Sequence, residues 1–296
     1  PDGAGEVVYV AAQCLEAEAT GTEAHPFVHI SDALAYAKDG ATILVAAGEY
    51  KENLDISRPV TIVGSSDPKD PDSAALSLQA PEETAIRVTG TDAVLIGVRV
   101  EGARGTAVRL EGGSLRLEGS AIEDTVSGSA GLPAVAVLAR ASGTLVLQST
   151  WVTGTSGTGV LVSGASGSFA GVEVRDSIGV GIALETALGE VTVTDTTVSG
   201  SVGAGVRVSS SRVVSDGSTV TGTTADGDVN ADGILSLEGT GVAGASLGPS
   251  DLTVRGSVLS GNGRTGILCG GGTRTVVLQD NTISDNGLPG TSVYKY

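Results

Sequence analysis

The stretch from 181 to 208, GIALETALGEVTVTDTTVSGSVGAGVRV, decides the fold. A small residue, Gly181, opens a short apolar strand around Leu184. A glycine turn leads to a second strand of form apolar-x-apolar, Val191 and Val193. An Asp-Thr step leads to a third short strand around Val198, and Gly205 begins the same pattern again. Val, Thr, Ser and Gly dominate, which suits strands and tight turns and disfavours helix interiors.

Working outward, the pattern recurs eight times between residues 85 and 284, with first strands beginning at Ala85, Ala107, Ala134, Gly159, Gly181, Gly205, Gly233 and Gly266. The period drifts between 22 and 33 residues, as in solenoids. Second strands align as Val98/Val100, Leu115/Leu117, Leu145/Leu147, Val172/Val174, Val191/Val193, Val213/Ser215, Leu252/Val254 and Val276/Leu278. Alternation at period two puts these pairs on one face. Third strands add Ile122, Val152, Val198, Val220, Leu259 and Ile283. Short strands running one way and stacked at ~4.8 Å per turn predict an all-β, single-stranded parallel β-helix of about 10–11 rungs, a rod on the order of 50 Å long. Residues 1–19 read as an N-terminal extension, 20–64 as a cap and 65–296 as the repeats, in one continuous domain.

Within the cap, Ser31 is placed to cap a short amphipathic helix, with Asp32 in its first turn, Ala33, Leu34 and Ala37 as an apolar stripe, Lys38 near the end and Gly40 as terminator. Such a helix would cover the open end of the coil. The residues of this region, Gly21 to Phe27, Ile30 to Leu34, Gly40 to Val45, Gly48-Glu49-Tyr50-Lys51-Glu52-Asn53 and Val60 to Gly64, resemble the opening of bacterial pectin-lyase-like right-handed parallel β-helix proteins. Ser260-Gly261-Asn262-Gly263 and Asn281 to Gly287 are similar to their repeat turns. The resemblance implies a right-handed coil. It leaves function open, because that superfamily hosts lyases, hydrolases, esterases, epimerases and proteins with no known catalysis.

The resemblance also allows tests for catalytic motifs. Gly48-Glu49-Tyr50-Lys51-Glu52 fits the G-x-Y-x-E element that opens pectin methylesterases, but the later esterase segments are missing, and Gln279-Asp280-Asn281 is the nearest approach to one of them. The N-T-D, D-D, G-H-G and R-I-K motifs of polygalacturonases do not occur. Both histidines, His25 and His29, fall in the cap around Pro26-Phe27, where a structural turn is the better reading than a metal site.

Three other groups are candidates. Arg99 and Arg116, with Glu101 and Glu118, read as outward positions on adjacent rungs. A solvated ladder of paired charges is the favoured account and a substrate groove the alternative. Asp226, Asp228, Asn230 and Asp232 resemble the front half of a calcium loop without its closing acid, so calcium is a candidate cofactor and a hydrated acidic turn the competing reading. The outward column of the first strand reads Arg87, Arg109, Ala136, Leu161, Ala183, Arg207, Leu235 and Leu268, so that Leu161, Leu235 and Leu268 offer an apolar stripe that is either an interface or covered by the long loops 222–232 and 239–250. Trp151, the only tryptophan, reads as the cover of a corner. Cys269 aligns with the interior column. Cys14 lies before the first turn, too far along the rod to bridge to it.

With 34 Asp and Glu against 17 Lys and Arg, the net charge of -17 argues against nucleic acid and anionic membrane as partners. No stretch approaches the roughly 20 apolar residues of a membrane span. The chain has no methionine and reads as a processed piece of an exported bacterial protein, extracellular or held at the cell surface. The function expected is a non-catalytic scaffold or binding module for a glycan or protein partner. A polysaccharide lyase or epimerase is the first alternative, and end-to-end self-association into a fibre the second.

Overall fold

A computed structural model describes residues 6–13, 19–64, 76–78, 84–129, 131, 133–225, 231–237, 248–270, 272–288 and 293–295. The alternation becomes three ladders of parallel strands wound around one interior. The first runs from Leu54–Ile56 to Val293–Lys295, the second from Val7–Val10 to Thr273–Gln279, and the third from Gly48–Tyr50 to Thr282–Ser284. Thr84–Ile96 and Thr106–Glu118 run through the first corner without a break, so the first two ladders join into a 19-stranded sheet, while the third is a separate ten-stranded sheet. The interior is a single cluster of buried aliphatics from Val8 to Cys269.

The small residues that open each first strand have a packing cause. Register places Ala107, Ala136, Gly159, Gly181 and Gly205 in one column, so the small residue of the third repeat is Ala136 and not Ala134. This column faces the interior at the corner, where a Cβ on Gly159 would lie 2.7 Å from Val174 Cγ1 and 2.9 Å from Ser177 Oγ. The slip of two residues keeps each side chain's facing but moves the outward leucine of that rung to Leu138, which pairs with Arg109 and Leu161.

The second corner has constant length. It consists of one residue in the left-handed region, Gly97, Gly119, Ser149, Gly171, Asp195, Gly217, Gly256 or Asp280, with φ between 44° and 62°. One inward residue follows. Left-handed backbone breaks the ladder and leaves an N–H to satisfy. A hydroxyl or amide from the next rung accepts it: Val98 N donates to Ser120 Oγ (3.2 Å), Thr196 N to Ser218 Oγ (3.3 Å), Ser218 N to Ser257 Oγ (3.2 Å) and Ser257 N to Asn281 Oδ1 (2.9 Å). The third corner has a second left-handed column, including Asp124, Asp176 and Asp285, followed by the buried hydroxyls of Thr125, Thr155, Ser177 and Ser201.

The helix Ile30–Tyr36 lies against the amino-terminal strands and buries Ile30, Ala33 and Leu34. Its cap differs from the sequence reading. His29 is the N-cap residue, and its side chain does not cap the helix. The carboxylate of Glu52 instead accepts from Ile30 N (2.8 Å) and Ser31 N (2.9 Å). A carboxylate brought in from the turn between Gly48–Tyr50 and Leu54–Ile56 thus does the work expected of Ser31, with the charge the helix start favours. Lys38 lies beyond the helix and pairs with Glu6 at 3.3 Å. At the carboxyl end, Leu278 occupies an interior column yet is 38% exposed, so the last described rung leaves its core side open.

Candidate functional site

A β-helix presents its outward columns as long flat faces, and the candidate residues fall on all three. On the first face the column reads Arg87, Arg109, Leu138, Leu161, Ala183, Arg207, Leu235 and Leu268. Leu161 is half-buried. Leu235 and Leu268 are buried and form a small cluster with Ala204, against which Leu237 packs. The carboxyl half of the expected stripe is therefore covered surface. Arg109 is held by Glu111 (Nε to Oε1, 2.9 Å), and Arg207 by Glu185 on the preceding rung.

Asp232 departs from the place that the calcium reading gives it. Its carboxylate is fully buried, accepts from both Arg264 Nε (2.9 Å) and Arg264 Nη2, and accepts from Thr265 Oγ1 at 2.6 Å. With its oxygens engaged by a guanidinium, Asp232 has no room for a cation, which the same positive charge would repel. Asp226, Asp228 and Asn230 lie outside the described residues. Among the described residues no group of three or more His, Cys, Asp or Glu side chains is arranged to hold a metal ion. His25 and His29 are both exposed in the cap.

The Arg99 and Arg116 ladder is also corrected. Arg99 belongs to the third ladder, beside Ala121, whereas Arg116 belongs to the second, beside Val94 and Val146. They are not rung neighbours. Arg116 pairs with Glu118 on its own strand at 2.8 Å, while Arg99 pairs with Glu123 on the next rung at 2.6 Å and lies 4.0 Å from Glu101. The displaced pairs are Val98/Val100 and Val172/Val174, which are third-strand residues; the second strands of those rungs carry Ala93/Leu95 and Gly167/Phe169.

Farther along the second face, Asp251 sits between Arg274 (Nε to Oδ1, 3.1 Å) and Arg212 (3.7 Å). The hydrogen bond from Arg274 is the main reason its carboxyl titrates below the ordinary value, against an opposing push from burial. The folded pKa is depressed, so the contribution to stability is present above the unfolded value of about 3.9 and is lost as pH falls through the folded value. Asp251→Asn is expected to be less stable than the parent near neutral pH and to converge with it in acid, in paired urea titrations across that range. Both arginines are more than half exposed, so the difference should be small.

On the third face, Trp151 is not at a corner. Its strand, Trp151–Thr153, pairs with Ala121–Glu123 on one side and Glu173–Arg175 on the other, which places the half-buried indole between Ala121 and Glu173 in an outward column. Ala121 is only 1% exposed. Glu173 and Arg175 are ion-paired. The same column continues as Thr197, Thr219, Val258 and Thr282, and the adjacent one as Ser199, Thr221, Ser260 and Ser284. Val258 is 37% exposed, so the face is open there. Correct assignment of Val172/Val174 to the third strand would have put Glu173 beside Trp151 from the sequence. Two clefts lie at the amino-terminal end. One, of about 400 Å³, is lined by Tyr9, Leu44 and Val63 with Glu23; the other, of about 280 Å³, lies beside the helix at Ser31 and Arg58.

Three ladders, one-residue left-handed corners and a helix-covered end define a parallel β-helix. Residues 84–296 match the family model described as "Right handed beta helix region", and the chain belongs to that family. No curated protein matches it by sequence. Similar solved structures include the Azotobacter vinelandii mannuronan C-5 epimerase AlgE4 A-module, at 14% identity and TM-score 0.52, over 97% of this chain and 100% of that one. A rhamnogalacturonan lyase aligns at 10% identity and TM-score 0.56, over 98% and 89% of the two chains. An alginate lyase from a Paenibacillus species aligns at 15% identity and TM-score 0.56, over 98% of each. At these identities the likeness is one of fold.

Proposed function

We propose that the chain is a non-catalytic β-helix acting outside the cytoplasm, a rigid scaffold that presents a flat face to a glycan or protein partner. The observation that carries this reading is the state of the charged groups on the outward faces. Arg109, Arg116, Arg175 and Arg207 are each held by a glutamate of their own or an adjacent rung. Paired charges on open, solvated sheet neither abstract a proton nor gather a cation; they keep the faces flat and soluble. Glycan partners are favoured by the company of the fold, since the three similar structures bear the names of polysaccharide-active enzymes.

Those names also support a second reading, an enzyme of lyase or epimerase type that draws single residues from separate rungs. The two separate on incubation with acidic and neutral polysaccharides, with calcium and with chelator. Glycan retention without unsaturated products, new reducing ends or epimerised residues is the expected result. Calcium-dependent product formation would overturn the scaffold reading.

A further inference from the structure

Resting on the binding reading above, we propose that the ten-stranded sheet of the third ladder is the binding face and that its ligand is an extended neutral glycan stacked on Trp151. A pyranose ring has an apolar C–H face and a rim of hydroxyls that both donate and accept. The group that recognises it is an aromatic plane flanked by hydrogen-bonding side chains. Trp151 supplies the plane: it stands beside the buried Ala121 in an outward column of a sheet face. One rung away, Glu173 offers an acceptor and Arg175 donors, already fixed against one another by their ion pair.

Beyond the indole the face suits a chain of sugars better than a protein. Thr197 and Thr219 stand one rung apart, ~4.8 Å, and Thr221 lies two residues along the strand from Thr219, all three as short, partly exposed hydroxyl groups on stiff β-branched stems. They add hydrogen bonds at low entropic cost but no apolar anchor of the kind that dominates protein interfaces. Charge decides between neutral and acidic sugars. Around the indole the carboxylates of Glu101, Glu123 and Glu173 outnumber the guanidinium groups of Arg99 and Arg175, on a chain of net charge -17. A uronate chain would meet like charge.

Trp151 is the only tryptophan, so its emission reports the site directly. The test titrates the full chain with cellohexaose, mannohexaose and, as the anionic comparator, trigalacturonate, following tryptophan emission and, independently, retardation in gels containing the parent polysaccharides. Expected are a saturable emission change with a neutral hexasaccharide, at least tenfold weaker binding to trigalacturonate, and a loss of about tenfold or more in Trp151→Ala. Thr219→Lys, which leaves the interior untouched, should weaken binding with a normal circular dichroism spectrum and so answers for the case in which the tryptophan variant fails to fold. Retardation by a neutral polysaccharide with unchanged emission and no effect of either substitution would place the glycan elsewhere and overturn this inference while leaving the binding reading intact. Tighter binding of trigalacturonate would overturn the neutral class. Absence of binding to every glycan would overturn both.

Discussion

Phe169→Ala is expected to destabilise the rod by about 3–5 kcal/mol. Phe169 is 1% exposed and heads the largest fully buried side chains. Its size answers a local deficit. In the second ladder one interior column reads Leu115, Leu145, Gly167 and Val191, and its neighbour reads Leu117, Leu147, Phe169 and Val193. Gly167 leaves a hole among aliphatics, and the phenyl ring fills it: Cζ lies 3.2 Å from where a Gly167 Cβ would be. Truncating the ring therefore opens its own volume and the glycine's together. Each rung rests only on its neighbours, so the loss should appear as faster hydrogen exchange in the strands Gly157–Ser163 to Glu190–Thr194 as well as in a lower denaturation midpoint. Gly167→Val alone should also destabilise, by crowding the ring. Combined with Phe169→Leu it should recover much of the loss, a coupling in the range of 0.5–3 kcal/mol for side chains in contact. Strict additivity of the two would show that the ring does not occupy the glycine's space.

Arg264→Met should cost about 3 kcal/mol, the low end for breaking a buried pair, since the arginine side chain is itself 34% exposed while that of Asp232 is 0% exposed. The cost arises from the carboxylate left behind, with Thr265 as its remaining side-chain donor of the three bonds described. Removing both charges, as Asp232→Leu with Arg264→Met, should restore most of the stability, because the desolvation of the pair disappears with the pair. Thermal or urea unfolding of the two single variants and the double variant measures this. A double variant as unstable as Arg264→Met would mean that the ion pair holds the local backbone in a way apolar contact cannot. Calcium should not raise the stability of the parent through Asp232.

The sequence made the coil legible because the interior is aliphatic and alternates. It made the corners legible because they need residues that accept left-handed backbone. What it left ambiguous was which of three ladders a given pair belongs to. Alternation says inward or outward and nothing more, so Val98/Val100 and Val172/Val174 fit the second ladder as well as the third. Two circumstances hid the right assignment. Thr84–Ile96 and Thr106–Glu118 pass from the first to the second ladder as continuous strands, leaving no break to count. Gly167 removes one member of an apolar-x-apolar pair, so the true second strand of that rung does not look like one. The Trp151 face was lost with that assignment. The helix cap was misread for a different reason. Glu52 reaches Ile30 and Ser31 from 22 and 21 residues away, and no local rule links them.

The invariance of the second corner sets how such a rod can change over generations. Insertions accumulate at the other two corners, where Asp124 to Ala134 and Leu237 to Ser250 lengthen the circuit without disturbing the stack. The second corner keeps one left-handed residue and one inward residue in rung after rung. A duplication or deletion of one whole circuit would carry its own bend and its own hydroxyl into the column, and neighbouring rungs would meet the same partners as before. Ancestral length is thus free to grow or shrink in whole turns, whereas a gain of a single residue at that bend would put the following strand out of step with every rung it rests on.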